Sequence, residues 1–296
     1  MTSLPVRQIA LIIGRLGRET WREWNNDQAA RLGAALAFYA ILSIGPVLLI
    51  VISVAGVAFG NDHTRGYLLQ QIQHLVGTDG ARAIGDILEH SSSPRKSLMA
   101  TAVGLVTLLV SASGFFAQLQ AAMNAVWNVP KAQSNVMDFV NKRLLSFGMI
   151  LGICLLLLFS LVISAGVAAI TAMFGGTLPA LALSLGNTVI SFGVTTLLFA
   201  MIFKVLPDVH IRWQDVWAGA AFTALLFSIG KTLIGLYLGR SAMSSTYGAA
   251  GSLIVLLVWI YYSSQVFLLG AEFTQVWARF RGSVFAFKRG HRAAIA

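Results

Sequence analysis

The stretch "TYGAAGSLIVLLVWIYYSSQVFLLGAEF", Thr246 to Phe273, decides how this chain folds. No Lys, Arg, His or acid interrupts it before Glu272. A helix needs about 20 apolar residues to cross the hydrocarbon core of a bilayer, and this run supplies them. The whole chain agrees: of 296 residues 57% are hydrophobic and 11% charged, with mean hydropathy +0.76. Soluble domains carry roughly 25% charged residues. The solvent for this chain is a membrane.

Working outward, six stretches are long enough to span, near 32–59, 98–117, 144–174, 178–206, 214–238 and 249–276. The expected fold is therefore all-α: a polytopic membrane protein with six transmembrane helices. It divides into a cytoplasmic amphipathic segment (1–30), a six-helix transmembrane domain (31–278) and a basic cytoplasmic tail (279–296). The single cysteine, Cys154, lies in an apolar run and has no second cysteine with which to form a disulfide or zinc site. The early stretch "IALIIG" is too short for the core of a cleavable signal, so none is expected.

The formal charge of +10 first suggests nucleic acid, but its distribution says otherwise. With the N-terminus inside, fifteen of the 21 Lys and Arg fall on the cytoplasmic side and five outside, while Lys231 lies within a span. Basic residues concentrate on the cytoplasmic side of spans, so both termini are expected in the cytoplasm. Nucleic acid is not an expected partner.

Two regions outside the spans are patterned. In "VRQIALIIGRLGRETWREW", Arg7, Arg15, Arg18 and Arg22 share a helical face opposite Ile9, Ile13 and Leu16. Such a helix suits either an anionic leaflet surface or packing on the protein itself. The external segment 66–90 reads as two short amphipathic helices broken at Thr78-Asp79-Gly80. Its Leu68, Ile72, Leu75, Ile84, Ile87 and Leu88 need an apolar surface to cover.

Three ordered motifs carry a family resemblance. "GAALAFYAILSIGPVLLI" (Gly33–Ile50) resembles the first span of the YihY/BrkB family, once labelled ribonuclease BN. "VLPDVHIRWQDVWAGA" (Val205–Ala220) resembles that family's fourth-to-fifth connection, and the opening stretch resembles its last span. The resemblance implies a six-helix bacterial inner-membrane protein with both ends cytoplasmic. The family is described as transporters or envelope factors, and the ribonuclease label is regarded as a misassignment.

Ribonuclease chemistry would need an acid/base pair or a metal cluster. His63, His74 and His90 sit in the external segment without metal-type spacing; His210 is in a short inner loop and His291 in the tail. No catalytic residue, cofactor or metal is expected, and the chain is not read as an enzyme. Intramembrane ionisable groups are more informative, since each costs about 2.5–3.5 kcal/mol at mid-membrane. Lys231 falls about 10 Å inside the outer end of its span at 1.5 Å per residue. Glu272 falls roughly 35 Å down the last span, which places it back near water. Its expected partners are Arg31, Lys204 or Arg212, in a structural salt bridge.

Backbone irregularity adds Gly45-Pro46 in span one, where proline bends a helix, "SASG" at Ser111–Gly114, and Gly186-Asn187 with Gly193 in span four. Gln118, Gln120 and Asn124 suggest that span two continues into the cytoplasm as a helix. The substrate-pathway candidates are Lys231, Pro46, Tyr39, Ser111, Ser113 and Tyr247; the structural charges are Glu272, Arg31 and Arg212. The expected function is a transporter or lipid translocator for an anionic or amphipathic envelope substrate. The alternative is a membrane protein that organises envelope assembly through a protein partner. Membrane lipids are the expected surroundings, and the sequence allows a homo-oligomer.

Overall fold

The computed structural model describes residues 6–59, 61–91, 114–130, 148, 152, 180–240, 249–283 and 286–287. Its described elements are α1 (Val6–Asn26), α2 (Ala29–Phe59), α3 (Asn61–Ser91), α4 (residues 114–126), α5 (Ala180–Val205), α6 (Trp213–Arg240) and α7 (Ala249–Phe280). A two-residue strand β1 (Val209–His210) pairs antiparallel with β2 (Ala286–Phe287), Val209 opposite Phe287 and His210 opposite Ala286.

The tightest seam is between α6 and α7, and small residues explain it. Thr274 of α7 sits over Gly219 of α6, while Thr223 of α6 sits over Gly270 of α7; a β-carbon on either glycine would overlap that threonine. Each threonine hydroxyl is satisfied by the carbonyl four residues before it on its own helix, both at 2.7 Å. The helices thus run antiparallel with backbones close together, as small residues permit in membranes. Further along, Tyr262 covers Gly230 in the same way. On another face of α7, Gly33 of α2 leaves room for Gln265, whose Nε2 donates to the Ala30 carbonyl at 3.3 Å.

At the end of the bundle that holds the helix connections, three chain segments lock together. Asn124 at the end of α4 makes two bonds with Asp208: its Nδ2 donates to Oδ2 and its Oδ1 accepts from the Asp208 N–H, both at 2.8 Å. Gln120 donates to Asp208 Oδ1 and to the Leu206 carbonyl, both at 3.2 Å. Lys204 Nζ donates to the Ile211 carbonyl and lies over the Trp213 ring. Buried Asp215 accepts from Ser283 Oγ at 2.6 Å, which ties the start of α6 to the chain beyond α7. Asn128 (φ 51°) and Gly282 (φ 69°) end α4 and α7 in the left-handed conformation, with the paired carbonyl bonds of a Schellman stop.

Between α1 and α2 the chain bends by 64°. Gln28 makes the elbow: its φ is 52°, and its carbonyl accepts the N–H groups of Arg31 and Leu32, which opens α2. Helix α1 crosses the end of α7, where Leu16 and Thr20 are buried while Arg15, Arg18 and Arg22 are exposed.

Among the described residues, α5, α6 and α7 each contain a segment long and apolar enough to cross a membrane. The bent pair Leu11–Asn26 and Ala29–Gly45 is a fourth candidate. The stretches expected at 98–117 and 144–174 lie largely outside the described residues. The expected break at Thr78-Asp79-Gly80 is not there: α3 is one helix of 31 residues. One helical glycine costs only about 1 kcal/mol, and the packing of α3 on α2, α6 and α7, with Leu68, Ile84 and Leu88 buried, outweighs it. Nor do Gly186-Asn187 and Gly193 interrupt α5.

Candidate functional site

A cavity of about 280 Å³ opens where five helices meet. Leu36 and Ala40 of α2 form one side, and Phe115, Phe116 and Leu119 of α4 another. Phe199 and Ile202 of α5 and Phe227 of α6 complete the ring with Trp259, Ile260, Ser263, Ser264 and Phe267 of α7. The rings interlock: Phe227 packs edge-on against Phe199 at 5.9 Å and Trp259 at 5.8 Å, and Phe203 and Phe267 lie 5.3 Å apart. The lining is almost wholly apolar, and its size approaches the roughly 300–1,000 Å³ of small-molecule sites. Ser264 satisfies its hydroxyl on the Ile260 carbonyl at 2.9 Å. Ser263 Oγ is buried and meets no partner among the described residues. The cavity thus offers dispersion contacts and a single spare hydroxyl.

A second feature lies further along α7, at its crossing with α1. Glu272 is fully buried, 0% exposed, on the part of α7 that α1 crosses. Neither Glu272 oxygen, nor Oδ2 of Asp27 at the α1–α2 elbow, meets a hydrogen-bond partner among the described residues. Nearby, Arg279 of α7 donates to Glu23 of α1 at 3.2 Å. Burial raises the Asp27 carboxyl above its ordinary range, and the Glu23 charge adds to this, while the Arg279 charge opposes it.

The expected surface salt bridge of Glu272 is therefore corrected. Arg31 and Arg212 are exposed, Lys204 is engaged by the Ile211 carbonyl, and no ion pair joins any of them to Glu272 among the described residues. The reason is the elbow: α1 turns back over the end of α7 and covers a position that depth along one helix would put near water.

The pathway candidates are dispersed. Lys231 is exposed on α6, one helical turn beyond the cavity residue Phe227. Tyr39 is 39% exposed, packs edge-on against Phe38 and borders Gly114. Pro46 lies within the continuous helix α2. Ser111, Ser113 and Tyr247 lie outside the described residues. No group of three or more His, Cys, Asp or Glu fit to hold a metal occurs among the described residues. Sequence reasoning missed the aromatic cavity, because Phe115, Phe199, Phe227 and Trp259 stand on four separate helices with no shared motif. It also missed Asp27, whose one signal was an acid just before the first span.

A mostly helical chain with several apolar helices, packed through glycine–threonine seams around an aromatic cavity, defines a polytopic membrane protein. More particularly, the chain belongs to the family described as "Virulence factor BrkB", which matches residues 20–291. It is similar to a UPF0761 membrane protein of Tolumonas auensis, 28% identical over 267 residues, covering 86% of this chain and 82% of the relative. One from Verminephrobacter eiseniae is 27% identical over 286 residues, covering 92% of this chain and 66% of the relative. One from Stenotrophomonas maltophilia strain K279a is 28% identical, and there the chain spans 61% of the relative's length. No solved structure matches the chain.

Proposed function

We propose that this protein binds and translocates an anionic, amphipathic envelope lipid, with the apolar chain in the aromatic cavity. The observation that carries the reading is the cavity itself, about 280 Å³ and lined almost wholly by carbon. Each methylene buried there contributes about 0.8 kcal/mol, so an alkyl chain is the occupant the lining favours. Lys231 supplies the cation for the headgroup. It shares a helical face with Phe227 one turn away, is exposed, and makes no ion pair among the described residues. Ser263 Oγ, buried in the cavity lining and without a partner among the described residues, offers a hydrogen bond to an ester or hydroxyl of the lipid.

The surrounding architecture in this reading is six spans in a bacterial inner membrane with both termini cytoplasmic. It rests on the fifteen-to-five distribution of Lys and Arg. Trp213 and Trp217, half exposed at the start of α6, and Trp21, exposed on α1, suit an aromatic belt at the cytoplasmic interface.

The test uses purified protein in proteoliposomes with a fluorescent anionic phospholipid and a neutral one. Transfer between leaflets should exceed that of empty vesicles for the anionic lipid, and Ala40→Trp, which fills the cavity, should abolish it. Equal transfer by parent, Ala40→Trp and empty vesicles would refute translocation.

A further inference from the structure

Helix α1 presents three faces at helical spacing, and two of them are exposed. The first turns toward the bundle: Leu16 and Thr20 are buried, and Glu23 accepts from Arg279 at 3.2 Å. Beside it, Ile13, Gly17 and Trp21 form an apolar stripe at successive turns, with Ile13 64% and Trp21 59% exposed. Trp21 stacks on Trp24 with ring centroids 5.0 Å apart, so its indole is held in place outside the core. The third face carries Arg15, Arg18 and Arg22, all exposed, and Leu11, 67% exposed. Arg15 pairs with Glu19, and Arg22 lies 3.7 Å from Glu23, which Arg279 already holds. Arg18 makes no ion pair among the described residues.

Two polar contacts fix the level of this helix. Arg279 donates to Glu23 of α1, and Arg281, two residues on, donates to Gln214 of α6 at 3.2 Å. Helix α1 therefore crosses α7 at the height where α6 begins. The apolar segment of α6 also starts there, at Trp213, so this height is an edge of the hydrocarbon layer. The bend of 64° at Gln28 turns α1 away from the axis of α2. With α2 as a span, α1 lies closer to the membrane plane than to its normal. Apolar side chains at that level leave water favourably for lipid. Guanidinium groups beside them present paired donors to phosphate oxygens.

We propose that α1 is an interfacial helix that docks on the anionic phospholipids of the adjoining leaflet. Ile13 and Trp21 enter the boundary of the acyl chains, and Arg15, Arg18 and Arg22 hold headgroup phosphates, as basic amphipathic helices do. Lipid is the occupant because the apolar stripe lies at the hydrocarbon edge with the basic face next to it. That leaflet is cytoplasmic in the orientation proposed above, but the docking does not rest on the orientation. Nor does it rest on the cavity: Lys231 stands 18 residues beyond Trp213 on α6, about 27 Å away along the helix.

The test uses the full chain in lipid nanodiscs, with Cys154→Ser and a fluorophore on Ile13→Cys. The nanodiscs mix phosphatidylcholine and phosphatidylglycerol, and one or the other carries a nitroxide high on its acyl chain at equal mole fraction. Each arginine near an anionic surface contributes about a fivefold preference, so phosphatidylglycerol should quench more strongly than phosphatidylcholine. The excess should vanish in the triple variant Arg15→Gln, Arg18→Gln, Arg22→Gln and shrink in high salt, while quenching by phosphatidylcholine remains. It should persist in Lys231→Met, which separates this contact from the headgroup site of the cavity. Equal quenching by the two lipids in the parent, or an excess that survives the triple substitution, would overturn the proposal. Quenching by neither lipid would overturn it too, since protein rather than lipid would then cover the stripe. The comparison in the parent needs no charge substitution, so it decides even if the triple variant fails to fold.

Discussion

Asn124→Ala tests whether the lock between α4 and the α5–α6 connection holds the bundle. The substitution removes two bonds of 2.8 Å: one from Nδ2 to the Asp208 carboxylate and one from the Asp208 N–H to Oδ1. A hydrogen bond to a charged group contributes about 1.5–3 kcal/mol and a neutral one about 0.5–1.5 kcal/mol. Asp208 and Asn124 are both partly exposed, so water replaces some of what is lost. The expected loss is about 2–3 kcal/mol. It is measured by reversible unfolding in mixed detergent micelles, followed by tryptophan fluorescence. A cycle with Asp208→Ala should give a coupling of about 1–3 kcal/mol. A change below about 0.5 kcal/mol for Asn124→Ala, of the size seen at inert surface sites, would refute the idea that this contact positions the two segments.

Other expectations are independent of that lock. Gly270→Val forces a branched side chain onto Thr223 at the α6–α7 seam and should cost at least about 1–3 kcal/mol. Gly193→Ala, where a β-carbon meets nothing, should instead gain a few tenths to about 1 kcal/mol from helix propensity; the same unfolding assay separates them. Lys231→Met should leave stability within about 0.5 kcal/mol of the parent, as for an exposed residue, yet abolish any preference for anionic over neutral lipid. Because burial raises the Asp27 carboxyl, the unfolded chain binds fewer protons than the folded one at intermediate pH. Protection of the α1 amides, read by hydrogen exchange corrected for intrinsic rates, should therefore be complete in acid. It should fall as pH rises through the raised value, above the ordinary carboxylate range.

What was legible in the sequence was whatever a single helix determines. The apolar runs near 32–59, 178–206, 214–238 and 249–276 correspond to α2, α5, α6 and α7, because hydrophobic length alone defines such elements. Gln120 and Asn124 lie on the described helix α4 (residues 114–126), where the sequence suggested helix beyond residue 117. Their partner Asp208, more than 80 residues away, is fixed by tertiary packing that spacing does not encode. Glu272 was misjudged for the same reason: depth along α7 is readable, but the cover supplied by α1 depends on the Gln28 elbow. At Thr78–Gly80 the turn chemistry was real in composition and lost to packing along α3.

The central claim is that an alkyl chain occupies the aromatic cavity. It is tested most directly by photolabelling in proteoliposomes with a phospholipid that carries a diazirine in its acyl chain, followed by peptide mapping. The account predicts adducts within Phe115–Leu119 and Trp259–Phe267, the segments that line the cavity, and their loss in Ala40→Trp. Adducts confined to the exposed residues Leu225, Ile229 and Leu257, unchanged by Ala40→Trp, would contradict it and leave the cavity without a lipid.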